Sequence, residues 1–190
     1  ENVVLRTNAV PVYGFLSLIV AGQGEATRRA PGRILDCGAG GPVPPLALFR
    51  QHGFDCRGID TSSEQLGRAT QFCEEHNIEL HLRQGDMRRV PFADHSFDYV
   101  YEHYAMCHLS KRDTAVAVGQ MFRVLRSGGL CFLGVISADT WPPSLFGKER
   151  APGEYCGEED GKTGVLHTVF TDAEADQLVS RWEVVAKKKE

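Results

Sequence analysis

Residues Arg33 to Pro42 read R-I-L-D-C-G-A-G-G-P, a short apolar run that ends in an acid and then a cluster of glycines. Pro31-Gly32 precede the run, and the helix-like Leu46-Ala47-Leu48-Phe49 follows it. This spelling predicts strand, tight loop and helix, because glycine is placed where a backbone turns sharply or approaches a ligand closely. Such a loop is a nucleotide site. Backbone N–H groups at the start of the following helix are expected to point outward and to hold the polar part of a cofactor.

Two cofactor classes use this geometry, and the local spelling separates them. A dinucleotide fingerprint requires G-x-G-x-x-G. From Gly38 the chain offers Gly38, Gly40 and then Val43, which lacks the third glycine that lets helix and strand pack closely. Asp36-Cys37-Gly38-Ala39-Gly40 instead resembles the D-x-G-x-G motif of class I S-adenosylmethionine-dependent methyltransferases. That family often carries a third glycine two residues on, where this chain has Pro42. The resemblance implies S-adenosyl-L-methionine as cofactor, with Asp36, Gly38, Ala39 and Gly40 in its site. Two alternatives stay open: an NAD(P)-dependent oxidoreductase, and a cofactor-binding protein without methyl transfer.

At 190 residues, 42% hydrophobic and 24% charged, the chain suits one globular domain with a sizeable core. Within it we expect an N-terminal helical segment (1–31), a cofactor-binding core (32–136), and a lid loop with a last helix and strand (137–190). No apolar run approaches the roughly 20 residues of a membrane span, and Tyr13 to Ala21 lacks a charged leader and cleavage site. The net charge of −4 supplies no basic field for nucleic acid, and Lys187-Lys188-Lys189 reads as a solvated end. The expected partner is a small molecule rather than a membrane or nucleic acid. Six cysteines without C-x-x-C spacing read as reduced thiols, which places the chain in the cytoplasm and predicts no metal site. Cys37, Cys56 and Cys131 fall in predicted strands, where cysteine packs as a small hydrophobe.

Past the first helix, Phe54 to Ile59 predicts a second strand. Asp60 follows, about 20 residues beyond the loop, where a ribose-binding acid ends the neighbouring strand; Thr61-Ser62-Ser63-Glu64 offers helix caps beside it. Glu64 to His76 has helical spacing, and Glu79 to Arg83 predicts a third strand. In the family resembled, an acid in the next loop accepts a hydrogen bond from the adenine amine and the following residue flanks the ring, roles that fall here to Asp86 and Met87. Pro91-Phe92-Ala93-Asp94-His95-Ser96-Phe97-Asp98 resembles the family's P-F-x-D-x-S-F-D run before its fourth strand. There Phe92 and Phe97 should pack while Asp98 starts the strand Tyr99 to Tyr101. Asp113 to Leu125 predicts an amphipathic helix ending at R-V-L-R-S-G-G, which resembles the family's R-V-L-x-P-G-G, with Gly128 as a left-handed stop. Leu130 to Ile136 then predicts a fifth strand buried on both faces. Five alternations of strand and helix predict an α/β fold: a doubly wound, mostly parallel sheet with helices on both faces, and a C-terminal strand set that is incomplete for the family.

From Ser137 to Gly164 the pattern breaks, and so long an irregular segment reads as a functional loop. Val165 to Phe170 is expected to be extended, Asp172 to Ser180 a helix capped at Thr171, and Trp182 to Lys187 a last strand. A methyl already activated on a sulfonium needs alignment more than acid–base help, so positioning carries most of the catalysis. Glu102, His103 and Tyr104 follow the fourth strand at the end where open sheets bind ligands. Candidate catalytic residues are therefore His103 and His108 as bases and Glu102, which also lies toward the cofactor's methionyl end. Tyr13, on the N-terminal helix, is a candidate to close the cofactor pocket. Tyr104, Trp141, Arg150 and Tyr155 are candidates for the acceptor pocket. Family members that methylate amide or base nitrogens carry [N/D]-P-P-[Y/F] after the fourth strand, where this chain has Glu102-His103-Tyr104-Ala105.

Overall fold

The computed structural model describes residues 10–22, 31–139, 143–159 and 161–189. Contacts gather the chain into two compact units, Glu1–His103 with Gln120–Leu133, and Tyr104–Gly119 with Gly134–Glu190.

The first unit holds a five-stranded, wholly parallel sheet in the order β3-β2-β1-β4-β5, from β1 (Arg33–Cys37), β2 (Asp55–Asp60), β3 (His81–Gln84), β4 (Phe97–Tyr101) and β5 (Leu125–Phe132). Helices α1 (Val10–Gly22), α2 (Leu46–Gln51) and α3 (Ser63–His76) belong to it, and α4 (Lys111–Val124) leads into β5. The chain runs outward from β1 through β2 to β3, then returns to the other side of β1 as β4. That reversal falls between β1 and β4, and ligands of open α/β sheets bind beyond the carboxyl ends of the strands at such a point.

The first core forms because apolar residues recur at the right periods. Val12, Phe15, Leu16 and Ile19 make one face of α1, and Leu46 to Phe49 bury nearly all of α2. They enclose Ile34, Phe54, Cys56 and Tyr101 of the sheet region, and the Phe15 ring lies 6.2, 6.4 and 5.8 Å from Phe49, Tyr101 and Phe132. Tyr13 is half-buried against this core. In α3, Leu66, Ala69 and Cys73 face inward; Ser62 caps the start by accepting from Gln65 N–H, and Asn77, left-handed at φ 52°, ends it. Phe92 packs on Phe97 edge-to-face at 4.9 Å, as expected. Asp98 takes the Arg33 amide at 2.7 Å and the Arg126 guanidinium at 2.6 Å, which pins the starts of β1 and β4 together.

The fifth strand departs from expectation. It starts at Leu125 rather than Leu130 and ends at Phe132, and Leu130 to Phe132 are half-buried rather than buried on both faces. The reason is its position at the edge of the five-stranded sheet, with β4 as its one neighbour there. Gly128 has φ 74°, and the register on β4 slips between Phe97 and Tyr99, so the glycine turns the chain inside the strand instead of before it.

In the second unit the expected irregular segment is largely a β-meander. Strand β7 (Lys148–Ala151) pairs antiparallel with β8 (Glu154–Glu159), β8 antiparallel with β9 (Lys162–Phe170), and β9 parallel with the two-residue β6 (Ile136–Ser137). Pro152-Gly153 makes the first hairpin turn, Gly153 taking φ 73°, and Gly161 at φ 74° lies in the second. Val165 to Phe170 is extended as expected, within β9. Helix α5 (Asp172–Leu178) carries a full capping box from Thr171 and Glu174. Trp182 to Lys187 lies outside any strand, contrary to expectation; the exposed Lys187 instead reaches Asp176 at 2.7 Å. At the start of α4, Lys111 donates its amide to Glu154 at 2.7 Å and its ammonium to Glu174 at 2.6 Å, and Thr168 Oγ1 donates to Leu109 carbonyl at 2.6 Å. Among the described residues, no helix is long and apolar enough to cross a membrane.

Candidate cofactor site

The glycine loop is closed on itself. Gly38 and Ala39 N–H both donate to Ile59 carbonyl at 2.8 and 3.0 Å, Gly40 N–H to Asp60 Oδ2 at 3.0 Å, and Gly41 N–H to Gln65 carbonyl at 3.0 Å. The expectation of outward, unpaired N–H groups is therefore corrected. Helix α2 begins only at Leu46, after Pro44-Pro45, and the amides of Ala47 and Leu48 turn back onto those two prolines' carbonyls. The glycines serve shape instead. A Cβ on Gly40 would stand 2.5 Å from Gln65 Cβ and 2.6 Å from Asp60 Oδ2, and Gly38 needs φ 121°.

What the loop presents is acid. Asp60 uses one oxygen on Gly40 and the other on Ser62 N–H at 2.8 Å, so it braces the loop against the start of α3. A carboxylate has about four acceptor positions, and two remain for a ligand's hydroxyls. Asp36, 1% exposed at the end of β1, accepts the Tyr101 hydroxyl at 2.6 Å. Glu102 follows β4 directly, is fully buried, and donates its amide to Phe132 carbonyl at 3.2 Å. Burial pushes the Asp36 carboxyl up to about 8; the Tyr101 hydrogen bond opposes this, and the negative charges of Glu102 and Asp60 add to it. Three acids thus converge at the ends of β1, β2 and β4, the place the strand reversal marks. A ligand bearing a sulfonium and an ammonium relieves this concentration of acid, whereas a pyrophosphate would meet like charge and a loop whose amides are engaged.

The raised Asp36 carboxyl has a pH signature. The fold favours its protonated form, so this contribution to stability is complete below the ordinary value of 3.8 and is lost as pH rises to about 8. We expect a slope of up to about 1.4 kcal/mol per pH unit between these limits. Urea denaturation of the free protein from pH 5 to 8 should show it, and Asp36→Asn should flatten it; an unchanged slope would mean that Asp36 is ionised in the fold.

The other expected residues fall as follows. Asp86 caps the short turn Met87–Arg89, and Arg88 holds both its oxygens at 2.7 to 3.0 Å, which lowers its carboxyl. Met87 is half-buried and Thr61 exposed, the latter's carbonyl accepting Gln84 Nε2 at 2.9 Å. The His103 ring lies 6.3 Å from Phe132. Tyr104 is 56% exposed at φ 61°, a strained backbone for an aromatic residue. Arg150 and Tyr155 lie on the β7–β8 hairpin, Arg150 Nη1 3.5 Å from Cys156 Sγ and Tyr155 hydroxyl 3.4 Å from Glu149. Trp141 lies outside the described residues. His108 stands with Glu159 and His167, a grouping that sequence reasoning missed because His108 is remote in sequence from the β8–β9 hairpin that carries the other two. Burial pushes the Cys56 thiol up to about 12, and Cys37 is raised as well, consistent with packing roles.

The methyltransferase domain family matches residues 35–133, from the second half of β1 through the glycine loop to the end of β5. YcgJ of Bacillus subtilis, an uncharacterized methyltransferase, is 37% identical over 102 residues, 53% of this chain and 39% of that protein. Sterol 24-C-methyltransferase erg6 of Schizosaccharomyces pombe is 33% identical over 102 residues, 52% of this chain and 26% of that protein. The chain spans well under two thirds of either relative's length. A solved SAM-dependent methyltransferase from Methanosarcina mazei shares the fold, with a TM-score of 0.68 at 20% identity over 80% of this chain and 79% of that one. With just over half of its length matched, the chain belongs to the methyltransferase domain family, and it does so on a class I fold.

Proposed function

We propose that the protein transfers a methyl group from S-adenosylmethionine to a small-molecule acceptor. The observation that carries this reading is the convergence of Asp36, Asp60 and Glu102 at the carboxyl ends of β1, β2 and β4. When bound, S-adenosylmethionine supplies a methyl activated by its sulfonium. The chain's part is to bind, orient and exclude water, and orientation alone is worth about 7–11 kcal/mol. In this reading Gly38, Ala39 and Gly40 shape the loop beside the methionyl portion, with Glu102 as its anionic wall, joined by Asp36 when the cationic cofactor favours loss of its proton. Asp60 takes the ribose hydroxyls beside Thr61. Asp86, kept ionised by Arg88, accepts from the adenine amine, Met87 flanks the ring, and Tyr13 covers the site.

For the acceptor, His103 serves as base where the nucleophile arrives protonated, and Tyr104, Trp141, Arg150 and Tyr155 contribute to the pocket. The name of the erg6 relative, a sterol methyltransferase, supports an apolar acceptor. Free thiols support a reducing, cytoplasmic setting. The experiment is incubation of the protein with methyl-labelled S-adenosylmethionine and a panel of acceptors that includes sterols. Acceptor-dependent S-adenosylhomocysteine is the expected product; cofactor uptake without product from any acceptor would favour a binding protein instead.

Asp86 separates the adenine contact from the rest. Asp86→Asn keeps an acceptor oxygen and should weaken cofactor binding less than Asp86→Ala, as isothermal titration reads directly. Equal and undiminished affinity in both would leave Asp86 as a cap for the Met87–Arg89 turn.

A further inference from the structure

We propose that His108, Glu159 and His167 form a binding site for one zinc ion in the second unit, with a fourth coordination position open to solvent. His108 ends the 3₁₀ turn Met106–His108, Glu159 ends β8, and His167 lies within β9. One ligand atom from each lies within 4.8 Å of the other two. Glu159 Oε2 is 3.3 Å from His167 Nε2 and 3.7 Å from His108 Nε2. Ligand bonds of about 2.0–2.1 Å in a tetrahedral site put neighbouring ligand atoms about 3.4 Å apart, so these two edges are already near the required length.

Proton placement argues for a cation here. His108 Nδ1 lies 3.0 Å from Leu166 carbonyl, which can only accept, so in the neutral ring Nδ1 carries the hydrogen. Nε2 is then a bare lone pair directed toward the Glu159 carboxylate, and two acceptors face each other. An imidazole whose Nδ1–H is held by a backbone carbonyl is the usual second-shell arrangement of a metal-ligating histidine. His167 is 8% exposed, stacks on Phe146 at 5.2 Å, and meets no hydrogen-bond partner at Nδ1 among the described residues. Its remaining nitrogen looks toward Glu159. Two imidazoles and one carboxylate favour zinc over calcium or magnesium, which prefer oxygen sets. The side chains of His108 and Glu159 are 38% and 45% exposed, which gives the ion a path in and leaves room for water as fourth ligand.

The test is titration of the full chain with zinc chloride by calorimetry, and with cobalt(II) by visible absorption, under a non-thiol reductant. One equivalent should bind, with tetrahedral cobalt bands and no thiolate charge-transfer band. Since loss of an outer-shell partner costs about 10–100-fold in metal affinity, Glu159→Gln and His108→Ala, each losing a direct ligand, should weaken binding by at least that much. Zinc should raise the melting temperature of the parent but not of Glu159→Gln, a near-isosteric change at a half-exposed side chain. Absence of saturable uptake, undiminished uptake in both variants, or a cobalt spectrum dominated by thiolate would each overturn the site. Proton sharing among the three side chains would then account for their grouping.

Discussion

Gly58→Val is expected to cost about 3 kcal/mol of stability or more, at the upper end of what overpacking a tight core exacts. Gly58 faces Asp36 across β1 and β2, and a Cβ there would stand 2.5 Å from Ala39 Cβ, 2.7 Å from Leu82 Cδ2 and 3.2 Å from Leu46 Cδ2. The Leu82 and Leu46 contacts are side-chain ends that can turn, but Ala39 Cβ moves only with its backbone, which is held by the hydrogen bond from Ala39 N–H to Ile59 carbonyl. The same substitution pushes the glycine loop away from Asp60, so cofactor affinity should fall with stability. Urea denaturation checks the first effect, and a midpoint within error of the parent would show that the loop and α2 move freely.

Asp60→Ala should weaken cofactor binding roughly tenfold to a hundredfold, because unpaired polar groups of a buried ligand cost about 1–3 kcal/mol. The structure adds a second consequence. Asp60 also receives Gly40 and Ser62 N–H, so its removal orphans two loop donors and loosens the junction of loop and α3. Asp60→Asn keeps one acceptor oxygen, so it should fall between parent and alanine in both affinity and melting temperature. An alanine variant with full affinity would remove Asp60 from the site.

The first unit was largely legible because its signals are local. A strand ending in Asp36, glycines at 38 and 40, and an acid at 60 lie close enough in sequence for spacing to carry meaning, and the Phe92–Phe97 and Asp98 contacts are those the motif implies. The use of the loop amides was not legible. Glycines announce a tight turn, but whether their N–H groups look outward or back to Ile59 and Gln65 depends on β2 and α3, which the loop's own spelling does not contain. Where β5 begins was missed for a similar reason, since Gly128 fits a helix stop and a kink within an edge strand equally well.

The second unit was read as loop although its hairpin signals were present. Pro152-Gly153 and Asp160-Gly161 are turn dipeptides at hairpin spacing. The flanking segments, Lys148–Ala151 and Glu154–Glu159, are charged and alternate weakly, because the strands are exposed or only half-buried. Trp182 to Lys187 shows the converse, a stretch read as a strand in which Trp182 is half-buried and Val184 and Val185 stay exposed. The His108, Glu159 and His167 grouping has no linear motif at all; only the β8–β9 hairpin and the turn before α4 bring it together.

On the present reading the acidic ends of β1, β2 and β4 hold a cationic adenosyl cofactor rather than a dinucleotide. Isothermal titration of the protein with S-adenosylmethionine, NAD and NADP in parallel tests this most directly. Saturable binding of S-adenosylmethionine, lost or much weakened in Asp60→Ala, with no heat from either dinucleotide, is the predicted result. Saturable binding of NAD or NADP with none of S-adenosylmethionine would contradict it.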